Sequence, residues 1–267
     1  MHFLVTSFIL SLIITVIGFK RTVWFISIGY TFSIAGMCLL LAYQMDYVLH
    51  WGSWLQIGLL FIWAIRLGFF IIKRESNQNY RNRIEKEHQA SQSLKFPTRF
   101  GIWISVCFLY VAMFSPAYFA LLMFASPEPW QEGVFYLGLA ILAAGVYIES
   151  LADRQKSKFK ERTPGRFVDK GLYAWVRYPN YFGEILVWLG SFICAIPFMT
   201  VWWEWALALF GLVCIVLIMI GSSKRLELKQ EESYGEDPEF KEYEKRVPIL
   251  FPWLPIYSLK KVKFALG

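Results

Sequence analysis

Seven apolar stretches, each about the length that one crossing of a lipid bilayer needs, divide this chain and leave little choice of fold. They run over His2–Gly18, Thr22–Tyr43, Trp51–Ile72, Gly101–Ala125, Val134–Leu151, Tyr181–Met199 and Val201–Gly221, the last two joined by a tight turn near Thr200. Hydrocarbon offers the backbone no hydrogen-bond partner, so each stretch must be a helix. Hydrophobic types are 57% of the 267 residues and charged types only 18%, which excludes a soluble domain with a large core. The first stretch lacks a basic start and an Ala-x-Ala cleavage site, so it reads as a span and not as a signal peptide. The expected fold is an all-α, polytopic integral membrane bundle of about seven transmembrane helices, a single membrane domain over residues 1–267.

The cations test that count. Outside the spans, Lys and Arg occur in four places only: Lys20–Arg21, Lys73–Arg99, Arg154–Arg177 and the tail from Lys224 to Lys263. Short loops rich in Lys and Arg stay cytoplasmic. The N-terminus is therefore expected outside and the C-terminus in the cytoplasm, which an odd number of spans requires. The net charge of +7 is a topology signal first. A nucleic-acid partner would need a basic soluble face, and no such face is expected, whereas an anionic cofactor or anionic lipid heads stay open. Cys38, Cys107, Cys194 and Cys214 all lie within spans and read as small apolar packers. His2, His50 and His88 are scattered and there is no CxxC, so neither a disulfide framework nor a metal site is expected.

The run GLYAWVRYPNYFGE, Gly171 to Glu184, climbs from a cationic loop into an apolar helix and carries Arg177, Asn180 and Glu184. A carboxylate inside a hydrophobic segment costs about 2.5–3.5 kcal/mol near the bilayer centre and less near its edge. Glu149 and Asp153 are four apart and share one side of a helix, as do Asn180 and Glu184. Pro179 sets the start of the sixth span and makes Asn180 its N-cap candidate. A helix start attracts phosphate, and Arg154, Lys156, Lys158, Lys160, Arg162 and Arg166 lie just before it. Cations for phosphates and carboxylates for ribose hydroxyls describe a nucleotide pocket. The positive-inside rule alone explains Lys158, Lys160 and Lys170. It does not explain Asn180 and Glu184, because a topology signal needs no Asn and penalises Glu.

Arg66, inside the third span, either snorkels to the interface or pairs internally with Glu184 or Glu149. Glu204 among Trp202, Trp203 and Trp205 reads as part of an outer aromatic belt, and Asp46 and His50 as surface groups. Lys224 and Arg225 read as a stop signal. Glu231, Glu232, Tyr234 and Tyr243 either close over a ligand or line a solvated amphipathic helix after a turn at Tyr234–Pro238. The polar segment between Lys73 and Arg99 is expected to be part helix.

The segments ADRQKSKFK, GLYAWVRYPNYFGE and EESYGEDPEFKEYEKRVPILFP resemble the steroid 5-alpha-reductase superfamily, in a largely bacterial branch. The likeness covers roughly Glu149 to Pro255; the first half matches in hydropathy and in Arg66. The resemblance implies a membrane oxidoreductase that uses NADPH, entering from the cytoplasm, to reduce a conjugated C=C bond of a hydrophobic enone, steroid- or isoprenoid-like, which arrives from the bilayer. It implies substrate-side helices in residues 1–125 and a cofactor-binding half in 126–267. Asn180 and Glu184 would hold the nicotinamide end, and Asp153, Arg162, Arg225 and Tyr243 the ribose and phosphates. Tyr173, Arg177 and Tyr181 complete the cofactor set, and Glu184 and Arg66 are the candidate catalytic residues. The partners implied are the lipid membrane and a hydrophobic small molecule, with no nucleic acid and no metal, in a multi-pass protein of the bacterial inner membrane. Three positions depart from the pattern. Tyr178 stands where many relatives have His, the second span has no Gln-Glu pair, and Trp63 occupies the place of a substrate-polarising Tyr. The pattern GLY…RxPxYxG…EE…Y…VP also occurs in isoprenylcysteine carboxyl methyltransferases. An S-adenosylmethionine-dependent membrane methyltransferase is therefore the alternative enzyme, and a non-catalytic lipid-binding protein the alternative of another class.

Overall fold

A computed structural model describes residues 2–45, 50–76, 94–122 and 127–263, and among them every regular element is helical. In chain order these are α1 (His2–Thr15, continued by a 3-10 turn, Val16–Phe19), α2 (Val23–Ile26), α3 (Ile28–Met45), α4 (Trp51–Ser76), α5 (Phe96–Leu122), α6 (Pro129–Arg162), α7 (Pro179–Ala195), α8 (Trp202–Tyr234) and α9 (Pro238–Arg246). Six stretches among the described residues are long and apolar enough to cross a membrane: His2–Phe19, Val23–Gln44, Trp51–Ser76, Phe96–Leu121, Pro129–Arg162 and Trp202–Tyr234. The architecture is thus an all-α polytopic membrane bundle. The stretch expected as the sixth span forms α7, which at 17 residues is about 26 Å long, slightly less than a hydrocarbon core of about 30 Å.

The helices overrun their apolar stretches where charge begins. The 34 residues of α6 and 33 of α8 each extend about 50 Å, so each carries about 20 Å of helix beyond one bilayer core. Hydropathy stops at Asp153 and at Lys224, but no Gly or Pro follows for ten residues in either place, and Lys, Arg, Glu and Gln are good helix formers. The second span, expected to be continuous, is broken at Ser27, whose backbone leaves the helix at φ −117° and ψ −83°. At the turn near Thr200, the backbone N–H groups of Thr200 and Val201 donate to Glu204 Oε2 at 2.8 and 3.3 Å. Glu204 is therefore a cap on α8 as well as a neighbour of belt tryptophans. The turn at Tyr234–Pro238 forms as expected, with Asp237 Oδ1 capping α9 through Glu239 N at 2.9 Å. The helix expected between Lys73 and Arg99 falls largely on residues 77–93, which lie outside the described residues, as does Asp46.

Two compact units share the chain. The first is Met1–Leu137 with Ser191–Gly211. Its core holds Ile34, Leu41, Leu60, Trp63, Ala112 and Phe114, all fully or almost fully buried. Thr15 Oγ1, on α1, accepts a hydrogen bond from Trp103 Nε1 of α5 at 2.8 Å and lies 3.1 Å from Cys107 Sγ. Trp63 packs edge-on against Tyr30, ring centroids 5.5 Å apart.

The second unit is Gly138–Gly190 with Leu212–Gly267. In it α6 and α7 run antiparallel and touch backbone to backbone. Gly190 lies on Leu142 N and Gly138 O, and lower in the same crossing Gly145 faces Val187 N and Gly183 faces Glu149 N. A Cβ on Gly145 would stand 2.6 Å from Val187 N, and one on Gly183 2.7 Å from Glu149 N. Small residues seven apart on both helices make this approach possible, which is how helices associate where lipid removes the hydrophobic drive. A methyl at Gly183 therefore meets backbone that cannot rotate away. Gly183→Ala is expected to lower stability by about 1–3 kcal/mol through overpacking. Gly58→Ala, whose Cβ would meet nothing within 4 Å, should stay near wild type. Thermal unfolding of the detergent-solubilised variants checks this, and equal melting temperatures would refute the crossing.

Candidate functional site

The glycine crossing decides where the acids lie. A Cβ on Gly183 would stand 2.9 Å from Glu149 Cβ, so Glu149 of α6 sits level with the start of α7 and with Glu184. Glu149, Asp153 and Glu184 are all buried, only 2%, 7% and 7% exposed. The pairing of Glu149 with Asp153 on one side of α6 is as the spacing requires. Asn180 and Tyr181 are half-buried in the first turn of α7. One expectation changes: α7 begins at Pro179, so Asn180 lies inside the helix and is not its cap. Proline is at home at the first helical position, where its missing N–H would be unused. The carbonyl of Tyr178 takes the first bonds, from Tyr181 N and Phe182 N, both at 3.1 Å.

The loop between α6 and α7 folds back onto α6. Gly171 adopts φ +65°, and a Cβ there would lie 2.5 Å from Gln155 Oε1. That carboxamide oxygen accepts from Leu172 N at 2.9 Å, so the glycine at the head of the GLY motif serves both backbone shape and close approach. Tyr173 then points inward, its hydroxyl donating to Ala152 O at 3.4 Å. Tyr243 of α9 in turn donates to Tyr173 O at 2.8 Å. Burial raises the Tyr173 phenol well above its usual range, helped by the Asp153 charge, and burial likewise raises Tyr243. Both remain neutral hydrogen-bond donors at physiological pH. Tyr243 belongs to an apolar cluster with Phe167, Phe240 and Val247, which joins α9 to the loop.

Arg177 is the buried centre of this region. Its Nη2 meets Glu227 Oε1 at 3.0 Å, its Nη1 meets Glu244 Oε1 at 3.1 Å, and it also donates to the carbonyl of Tyr257. Neither Arg177 nor Glu227 has any side-chain exposure. Glu227 Oε2 accepts from Leu259 N at 2.8 Å, and Lys260 bridges Glu231 and Glu244 at 2.7 and 3.0 Å. The backbone joins in: Arg177 N donates to Pro248 O at 2.9 Å and Tyr178 N to Ile249 O at 3.2 Å. Tyr178 Oη donates to Gln230 Oε1 at 3.0 Å. Arg177 thus clamps the loop to α8, α9 and the tail. Sequence reasoning picked out Arg177 but missed Glu227 and Glu244, which look like any other acid in a charged tail.

Other candidates stand as follows. Arg162 and Arg225 are exposed, near the charged ends of α6 and α8. Arg66 is half-buried on α4 in the first unit. Lys160, read as a topology cation, staples its loop by donating to Tyr234 Oη at 2.8 Å and to Pro164 O at 3.4 Å. Glu231, Glu232, Tyr234, Glu236 and Asp237 line an open depression of about 530 Å³ with Gly165, and its carboxylates make it unfit for phosphate. Among the described residues no group of three His, Cys, Asp or Glu side chains could hold a metal ion.

The clamp predicts a stability effect. Arg177→Met leaves Glu227 charged, buried and unpaired, and is expected to destabilise by about 3–5 kcal/mol. Adding Glu227→Leu should recover much of that loss. The measurement is the melting temperature of the two purified variants, and an Arg177→Met protein as stable as wild type would refute the clamp.

A family model described as a protein of unknown function, DUF1295, matches residues 9–247. The steroid 5-alpha-reductase DET2 of Solanum lycopersicum is 33% identical over 129 residues, 48% of this chain and 45% of that protein. The steroid 5-alpha-reductase DET2 of Arabidopsis thaliana is 34% identical over 79 residues, 29% of this chain and 28% of that protein. The chain thus spans less than half the length of these curated relatives. No solved structure matches. Because the family model covers most of the chain, the protein belongs to the DUF1295 family and is steroid 5-alpha-reductase-like.

Proposed function

We propose that this protein is a membrane reductase that acts on a conjugated C=C bond of a hydrophobic, steroid- or isoprenoid-like enone. The observation that carries the reading is the set of three buried carboxylates, Glu149, Asp153 and Glu184, held on rigid helices of the second unit beside a half-buried amide, Asn180. Burying a carboxylate in a helical bundle is costly, and acids placed inside membrane helices mark functional sites. The names of the tomato and Arabidopsis relatives supply the reaction class.

The donor set suits a nicotinamide dinucleotide. Carboxylates accept from ribose hydroxyls and from a carboxamide NH₂, and the exposed Arg162 and Arg225 suit phosphates. Arg162 is nine residues beyond Asp153 on one continuous helix, about 14 Å along its axis and half a turn around it, so a dinucleotide that met both would pass around the helix. In this reading Glu184 and Asn180 orient the nicotinamide end, while Asp153, Tyr173, Tyr181 and Tyr243 shape the ribose region. Arg177 is given a positioning role, since its Nη1 and Nη2 donors are engaged by Glu227, Glu244 and Tyr257. NADPH, when bound, would supply hydride to the β-carbon of the enone. Arg66 would stabilise the negative charge that develops on the substrate oxygen, as fixed charges aimed at such a site do. An apolar substrate would reach it from the lipid.

The test is direct. Asn180→Ala and Glu184→Ala are expected to lose NADPH binding by at least about tenfold while melting near the wild-type temperature, since each removes a donor or acceptor worth about 1.5–3 kcal/mol to a charged ligand. Fluorescence titration with NADPH and a parallel thermal-shift series with S-adenosylmethionine check it. Wild-type NADPH affinity in both variants, or a shift with S-adenosylmethionine alone, would overturn the assignment.

A further inference from the structure

A second set of buried polar side chains lies in the first unit and has no part in the reading above. Ser53 and Gln56 are one turn apart on the same side of α4, and both are fully buried, as is Ser191. Gln56 Nε2 donates to Ser191 Oγ at 3.4 Å. Gln56 Oε1 and Ser53 Oγ are sealed from solvent and have no hydrogen-bond partner among the described residues. Turning the amide over would exchange its oxygen for its NH₂ and still leave one of the two unmatched. The buried face of α4 runs on from Gln56 through Ile57, Leu60, Trp63 and Ala64, which are apolar. The cluster is therefore the polar end of an otherwise apolar wall.

The chemistry of the unmatched atoms specifies what would complete them. A glutamine oxygen accepts, and a serine hydroxyl donates or accepts. One alcohol group satisfies both at once, donating to Gln56 Oε1 and accepting from Ser53 Oγ. A carboxylate or phosphate would bring a charge for which the cluster has no cation. Buried polar atoms are almost always matched, so unmatched ones at the end of an apolar face mark a place where a ligand could provide the match. We propose that Ser53, Gln56 and Ser191 form a polar subsite that takes the hydroxyl group of an apolar, lipid-like alcohol lying along α4. That this alcohol is also the reducible enone rests on the function proposed above.

The experiment uses the full chain in detergent and two probes: a steroid 4-en-3-one with a 17β-hydroxyl, and the same compound with hydrogen in its place. Binding is read by thermal shift and by tryptophan fluorescence. The hydroxylated probe is expected to bind about tenfold more tightly, the scale of one buried hydrogen bond. Gln56→Leu and Ser53→Ala should each reduce that preference at least threefold while leaving affinity for the deoxy probe unchanged. Gln56→Leu should also melt close to wild type, because it removes an unmatched buried oxygen and loses only one long hydrogen bond, to Ser191. Equal binding of the two probes by wild type, no binding included, overturns the proposal, and so does a preference that survives in both variants. If Gln56→Leu does not fold, Ser53→Ala decides by the same readout. The two readings fail separately. Hydroxyl preference in a protein that does not bind NADPH would remove the reductase and leave the subsite, and NADPH binding without hydroxyl preference would do the reverse.

Discussion

A guanidinium with no solvent exposure must find its compensation inside the protein, and Arg177 finds it in Glu227, Glu244 and the carbonyl of Tyr257. Each partner comes from a different segment: the end of α8, α9 and the tail. Satisfying this one charge therefore fixes the loop before α7 against three other pieces of chain. Buried ion pairs add little net stability over apolar residues of the same shape, because desolvation offsets the attraction. What they add is a penalty for every other arrangement. A tail shifted by one residue would strand Leu259 N from Glu227 Oε2 and would break the backbone pairing of Arg177 and Tyr178 with Pro248 and Ile249. The acids of the candidate site sit beside the segment that this charge holds.

The long helices were legible because apolar stretches of bilayer length admit one local solution. Their ends were not, because hydropathy measures where lipid ends and not where a helix ends. The charged turns of α6 and α8 carry Asp153, Arg154, Lys224 and Arg225, which end an apolar run without ending a helix. The break at Ser27 has no proline, and Gly29 two residues on is a weak signal inside an apolar run. Local spacing gave Glu149 with Asp153 and the start of α7 at Pro179 to within one residue. It could not give Glu227, which lies 50 residues from Arg177 in sequence and differs in no local respect from Glu231 or Glu232. Partners that distant are chosen by packing, and a single sequence carries no record of it.

The glycines of the α6–α7 crossing show how a local feature becomes a site. Gly138, Gly145, Gly183 and Gly190 are unremarkable one at a time, and only their seven-residue spacing in two antiparallel helices brings backbone against backbone. Such close contact leaves no room for lipid or for side chains between the helices. The first side chains to emerge beyond it are Glu149 and Glu184, carried on elements that cannot shift without parting the crossing. Groups that must meet a ligand within fractions of an ångström are better held by rigid helices than by loops.

The two units treat buried polarity in opposite ways, and the difference fits two kinds of ligand. In the second unit a buried cation is answered by acids and carbonyls, and the neutral Tyr173 and Tyr243 are locked to backbone oxygens. An interior of that kind tolerates a charged, hydroxyl-rich molecule because the groups that meet it are already oriented. In the first unit the buried face of α4 is apolar for two turns after Gln56, and Gln56 Oε1 and Ser53 Oγ at its end lack a partner among the described residues. A wall of that kind rejects charge and rewards hydrocarbon that ends in a single alcohol.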